Sequence, residues 1–169
     1  KILELAAREA RPLFFVPTEI EGQALAAMIM NAMKGTLKVA AIKAPRYGEE
    51  RQNILKDLAV SIGANFISRS EGRRLQEVRL VDFGNASRID ITRTQTTVIG
   101  GRGDQDTIDR KIADLKDDLM DESNLMECEK IQDRIARLAS GISIIRVGGL
   151  TEIEMTERKH RIEDALEAV

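Results

Sequence analysis

Apolar residues recur along the chain in two rhythms, and the switches between them mark its elements. Leu13-Phe14-Phe15-Val16 is a short unbroken apolar run between Pro12 and Pro17, which reads as a buried strand. The residues before it, 1–11, are helical in pattern, and Pro12 stops them. Residues 20–34 read as a helix, ended by Gly35 just past its last turn. Leu37-Lys38-Val39-Ala40-Ala41-Ile42 reads as a second strand. After the Pro45-Arg46-Tyr47-Gly48 loop, a helix is predicted from Glu49 to Ile62. Its inward stripe is Ile54, Leu55, Leu58 and Ile62, and Gly63 is its stop. Asn65-Phe66-Ile67-Ser68 reads as a third strand. Strands and helices alternating in that order predict a mainly parallel α/β layer.

The pattern then changes. Arg88–Thr92 and Thr96–Ile99 alternate and are rich in threonine, which predicts a hairpin, with Gly100-Gly101-Arg102-Gly103 as a loop after it. Residues 104–121 carry a stripe of Ile108, Ile112, Leu115 and Leu119, and residues 125–138 a stripe of Ile131, Ile135 and Leu138. Two such helices across a short polar turn make a helical hairpin. Asn124 with Glu127 forms a capping-box pattern at the start of the second. Ile142–Val147 reads as a last strand. Thr151 with Glu154 forms another capping box, opening a charged helix through residue 169.

Composition narrows the partners. A hydrophobic content of 43% over 169 residues supports a folded core, in one domain or one with a small appendage. Lys and Arg number 26 against 28 Asp and Glu, a balance that argues against a nucleic-acid partner. Aromatics at 3%, with no Trp, leave no stacking platform for single strands. Cys128 is the only cysteine, so no internal disulfide is possible, and a reducing, cytoplasmic setting is expected. No run of about 18 apolar residues occurs, so no membrane span is expected. The chain opens inside one helical pattern and closes inside another, without an initial Met, and is expected to be a piece of a longer protein.

Candidate chemistry is sparse. The glycines at 100–103 precede a helix, but Asp106 stands where the third glycine of a G-x-G-x-x-G phosphate loop belongs, and no Walker A pattern occurs. Arg102-Gly103-Asp104 spells an adhesion tripeptide by chance. His160 is the only histidine and lies one turn before Asp164, an ordinary solvated spacing. With His160 and Cys128 each alone, neither a zinc site nor a Ser/His/Asp system is expected. The most unusual stretch is Ala24–Met33, where nine of ten residues are apolar and only Asn31 interrupts. Such a helix is either buried on all sides or packs one face and presents another as a docking surface, a role that suits flexible methionines. The first helix, with Ile2, Leu3 and Leu5, could wall a groove beside it.

Three segments resemble the group I chaperonins, the GroEL family: Glu21–Ala26, Asn31–Gly35 and Lys38–Pro45. Val147-Gly148-Gly149, Thr151–Met155 and Arg161–Leu166 resemble that family's exit from its apical domain in the same register. The likeness covers essentially the whole chain and is most diverged over about residues 66–140. Where the family has Gly-Phe-Gly after Ala-Pro, this chain has Arg46-Tyr47-Gly48. Where it has an acidic residue used between neighbouring subunits, this chain has Gln23.

The resemblance implies a layered α/β apical domain with a helical hairpin over residues 1–150, lacking its first part. Residues 151–169 would begin an intermediate-domain helix. It implies an ATP-dependent protein-folding chaperone, a homo-oligomeric ring when full-length, with ATP and Mg as cofactors there and none in this piece. Non-native polypeptides and a co-chaperonin would bind between two helices at Leu3, Leu25, Ile29 and Met30, making the apolar run a docking face. Asp164 matches the aspartate that promotes attack of water on ATP in the full-length protein. No nucleic-acid or membrane partner is implied. Two other readings stay open: a stand-alone α/β interaction module, and a small nucleotide-binding enzyme.

Overall fold

A computed structural model describes residues 2–68, 70, 72–139 and 147–168, and these form a mixed α/β fold. The order is α1 (Ile2–Glu9), β1 (Leu13–Phe15), α2 (Gly22–Met33), β2 (Val39–Ala41), α3 (Gly48–Ile62), β3 (Ala86–Ile91), β4 (Thr96–Gly101), α4 (Gln105–Asp121), α5 (Leu125–Ala139) and α6 (Glu152–Glu167). Two 3-10 turns, Leu75–Glu77 and Leu80–Asp82, lie between α3 and β3. No helix among the described residues is long and apolar enough to cross a membrane.

The parallel pair predicted at the start forms, with Leu13 opposite Val39 and Phe15 opposite Ala41. The third strand does not. Asn65 is drawn instead to Asp82. Its amide donates to the Asp82 carbonyl at 3.0 Å, and its side-chain Nδ2 donates to the Asp82 carboxylate at 2.8 Å. Those bonds replace a ladder, so 65–68 runs irregular. Asp82 also accepts from the Arg79 amide and from Arg73 Nη2, both at 2.8 Å. These donors, the Arg79 amide first, then Asn65 and Arg73, hold its carboxyl well below the usual carboxylate range. The strand predicted at Ile142–Val147 lies outside the described residues, except Val147, which is irregular.

The hairpin is antiparallel and longer than predicted, with Arg88 opposite Ile99 and Ala86 opposite Gly101. Gly100 and Gly101 therefore end β4 rather than form a loop. The glycines serve close approach. A Cβ on Gly103 would collide with the Val60 carbonyl, and one on Gly101 with the Ser61 carbonyl, so only glycine lets this segment lie on the end of α3.

The helical hairpin forms as read, with α4 and α5 packed together and both against α3. Leu115 of the predicted stripe is fully buried, while Ile108, Ile112 and Leu119 are half-buried. Beside this apolar seam lies a charge pair. Arg134 on α5 donates from Nε and Nη2 to the two oxygens of Asp57 on α3, at 2.7 and 3.0 Å. Asp57 is 8% and Arg134 15% exposed at the side chain.

The capping boxes close differently from the simple pattern. Asn124 Oδ1 accepts from the Met126 amide, but the Asn124 amide donates to Glu122, and Glu127 instead pairs with Lys130. Thr151 accepts from the Glu154 amide, and the Glu154 carboxylate takes the Leu150 amide. Arg46 holds φ at 59°, a left-handed conformation that costs a side-chain-bearing residue about 1 kcal/mol relative to glycine. Arg51 steadies the turn by donating twice to the Arg46 carbonyl.

Candidate functional site

The apolar run of α2 is only partly covered. Ala27, Met28 and Asn31 are half-buried and no α2 residue is fully buried. Among the described elements, α2 packs chiefly on β2. The lone polar residue, Asn31, sits on the partly covered side. Its Nδ2 donates to the Ala27 carbonyl at 2.7 Å, and Thr36 donates to its Oδ1 at 3.1 Å. The solvent side carries Leu25, Ile29 and Met33 at steps of four, with Met30 beside them. They are 43, 49, 80 and 52% exposed respectively. Burial on all sides, one of the two readings of this run, is thus overturned for the chain as it stands.

Leu3 is half-buried on α1, in an amphipathic helix whose Ala6 is buried. No packing of α1 on α2 accompanies it to the extent that α2 packs on β2. The structure therefore brings Leu25, Ile29 and Met30 onto one stripe and places Leu3 on a separate helix. Met33 belongs to that stripe too. Its signal in the sequence is its spacing of four from Ile29.

Asp164 is exposed on α6. Its neighbours are committed elsewhere: Arg161 pairs with Glu157 at 2.6 Å and Lys159 with Glu163 at 2.9 Å. Among the described residues, neither Asp164 nor His160 has a side-chain hydrogen bond or ion pair. The i, i+4 pairing of His160 with Asp164 is not formed.

The glycine segment is occupied by the fold. Its amides at Arg102 and Gly103 donate to the Asn85 and Ser61 carbonyls, and so do not point at a ligand. The N-terminus of α4 is capped by Asp104, which accepts from the Thr107 amide at 3.0 Å. Hydrogen bonds from the Thr107 hydroxyl and then the Thr107 amide lower the Asp104 pKa. A fixed carboxylate there repels phosphate.

A cleft of about 490 Å³ opens between α3 and the α4–α5 hairpin. Seven carboxylates and four cations line it, among them Arg46, Glu49, Asp118, Glu122, Lys130 and Arg134. Its acidic balance does not suit a nucleotide. Lys130 is held protonated, its pKa raised chiefly by the hydrogen bond to Glu127.

No protein-family model matches the chain.

Proposed function

We propose that this chain captures non-native polypeptides, as the apical part of a chaperonin-like folding machine driven by ATP. The observation that supports this is the outward stripe of α2. A soluble helix normally covers its apolar face and shows its polar one, whereas this helix leaves a row of large apolar side chains uncovered. Covering such a surface with another apolar chain is worth about 25 cal/mol per Å² and needs no sequence code. Leu25, Ile29 and Met30 form the stripe, and in this reading Leu3 on α1 would supply the facing wall of a groove that the contacts between α1 and α2 do not themselves build. The same groove would take a co-chaperonin in a full-length ring. In this reading residues 1–150 are the apical domain and α6 opens the intermediate domain.

Leu25→Ser and Ile29→Ser are expected to weaken capture of a denatured polypeptide about tenfold each, the scale of losing one desolvated apolar contact. Both side chains are close to half exposed, so the melting temperature should move by no more than a few degrees. Fluorescence anisotropy of a labelled denatured protein, beside a thermal melt, separates the outcomes. A fully packed residue would cost about 2–5 kcal/mol on such truncation. If stability falls together with binding, the stripe is packing surface and the proposal fails.

Mg-ATP titrated calorimetrically into this chain is expected to give no heat of binding. The Arg102 and Gly103 amides are engaged by carbonyls, and the cleft beside α3 is acidic. Tight nucleotide binding would instead make the small-enzyme reading the correct one.

A further inference from the structure

Three of the six methionines, Met28, Met30 and Met33, fall within six residues of α2. Met30 and Met33 are 52 and 80% exposed, and Met28 is half-buried on the side facing β2. A thioether open to solvent is a substrate for peroxide. Its sulfur lone pair attacks one peroxide oxygen and the O–O bond breaks. The sulfur loses two electrons and becomes a sulfoxide, and the other oxygen leaves as water. The new S=O group is a strong acceptor. On the outer stripe its neighbours Leu25 and Ile29 offer no donor, and the Asn31 amide is already engaged by the Ala27 carbonyl. The sulfoxide is therefore satisfied by water, or at Met30 by the exposed Lys34 one turn on, and stays hydrated either way. Any apolar chain that covers it must strip that water without replacing it.

We infer that Met30 and Met33 are oxidation sites that turn this face from apolar to polar, so that peroxide switches off capture and methionine sulfoxide reductase restores it. This rests on the reading of α2 as the capture face. It also requires little change in the fold, because both side chains already stand in solvent. Met120 and Met126 provide an internal control. They are 83 and 68% exposed on the α4–α5 hairpin, away from the stripe, and will be oxidised alongside.

The chain is treated with hydrogen peroxide, the peroxide is removed, and peptide mapping by mass spectrometry locates the sulfoxides. Capture of reduced, carboxymethylated lactalbumin is then measured before and after oxidation. Oxidised protein is expected to bind about tenfold or more weakly, the scale of an uncompensated polar group in an apolar contact. Its melting temperature should hold, and both reductase types together should restore binding. A variant carrying Met28→Leu, Met30→Leu and Met33→Leu, compared with its own unoxidised form, should lose nothing on oxidation. A Met120→Leu, Met126→Leu variant should behave as the parent does.

Undiminished capture with sulfoxide mapped at Met30 and Met33 overturns this inference alone. So does an equal loss in the α2 leucine variant, or peroxide that leaves both thioethers intact. Unoxidised protein that captures nothing overturns the capture reading and this inference with it.

Discussion

Asp57→Ala is expected to lower folding stability by about 3–5 kcal/mol, the range for stranding one member of a buried ion pair. Arg134 is 15% exposed and donates two near-parallel hydrogen bonds to Asp57. Without the carboxylate, a mostly buried guanidinium at the edge of the cleft remains with two donors unmatched. Its seam is the only long-range tie of that kind between α3 and α5 among the described residues, so the loss should fall on docking of the helical hairpin. Asp57→Leu with Arg134→Met removes both charges and should recover most of the stability, because an apolar pair of similar volume can replace a buried salt bridge. Lys159→Ala breaks an exposed pair on α6 and should cost under about 1 kcal/mol. Urea denaturation of the four proteins measures this directly. If Asp57→Ala is too unstable to titrate, Asp57→Asn keeps the shape and removes the charge. A cost for Asp57→Asn no larger than that of Lys159→Ala would show that the pair is merely a surface contact.

That pair is also the clearest case of what local pattern does not reveal. Asp57 adjoins Leu58 on the predicted inward stripe of α3, and Arg134 adjoins Ile135 on that of α5. A charge beside an apolar stripe usually snorkels to solvent. Only the three-dimensional approach of residues 77 positions apart converts two such charges into a partnership. Helix existence was legible for the opposite reason. The stripes on α3, α4 and α5 repeat locally, and Gly63 ends α3 with φ at 69°, as its position suggests. The strand expected at 65–68 failed because Asp82, 17 residues on, offered Asn65 better bonds than a sheet edge. For α2, periodicity could not say which side faces water, since almost every side is apolar. The informative residue was Asn31: its partly covered position leaves Leu25, Ile29, Met30 and Met33 outward. Of the candidate site, the stripe was thus readable as residues but not as an exposed surface. A wall on α1 was suggested by its apolar Ile2, Leu3 and Leu5 and narrowed to Leu3 by resemblance, yet α1 does not pack on α2 to the extent that β2 does.

Asp164→Ala, made in the longer chain that this reading implies, is expected to reduce ATP hydrolysis by about 10²-fold or more while nucleotide affinity and ring assembly change little. Attack of water on a phosphoanhydride needs that water positioned and its proton accepted, and a carboxylate can do both. Such a carboxylate must not be neutralised by its own helix. On α6, Arg161 is held by Glu157, Lys159 by Glu163 and Arg158 by Glu154, each one turn away. Asp164 is exposed and has no side-chain partner among the described residues. The basic side chains of that helix are thus occupied by other acids, which leaves this one available to a site brought to it. In this reading a hinge would carry the helix to the nucleotide, so binding would precede the step that Asp164 serves. Measuring nucleotide dissociation constants beside single-turnover hydrolysis distinguishes the roles. A mutant that binds normally and hydrolyses slowly fits a carboxylate acting on water. A mutant that hydrolyses at the parental rate would reduce Asp164 to a surface charge on α6 and remove the catalytic part of the proposal, leaving polypeptide capture by α2 to stand on its own test.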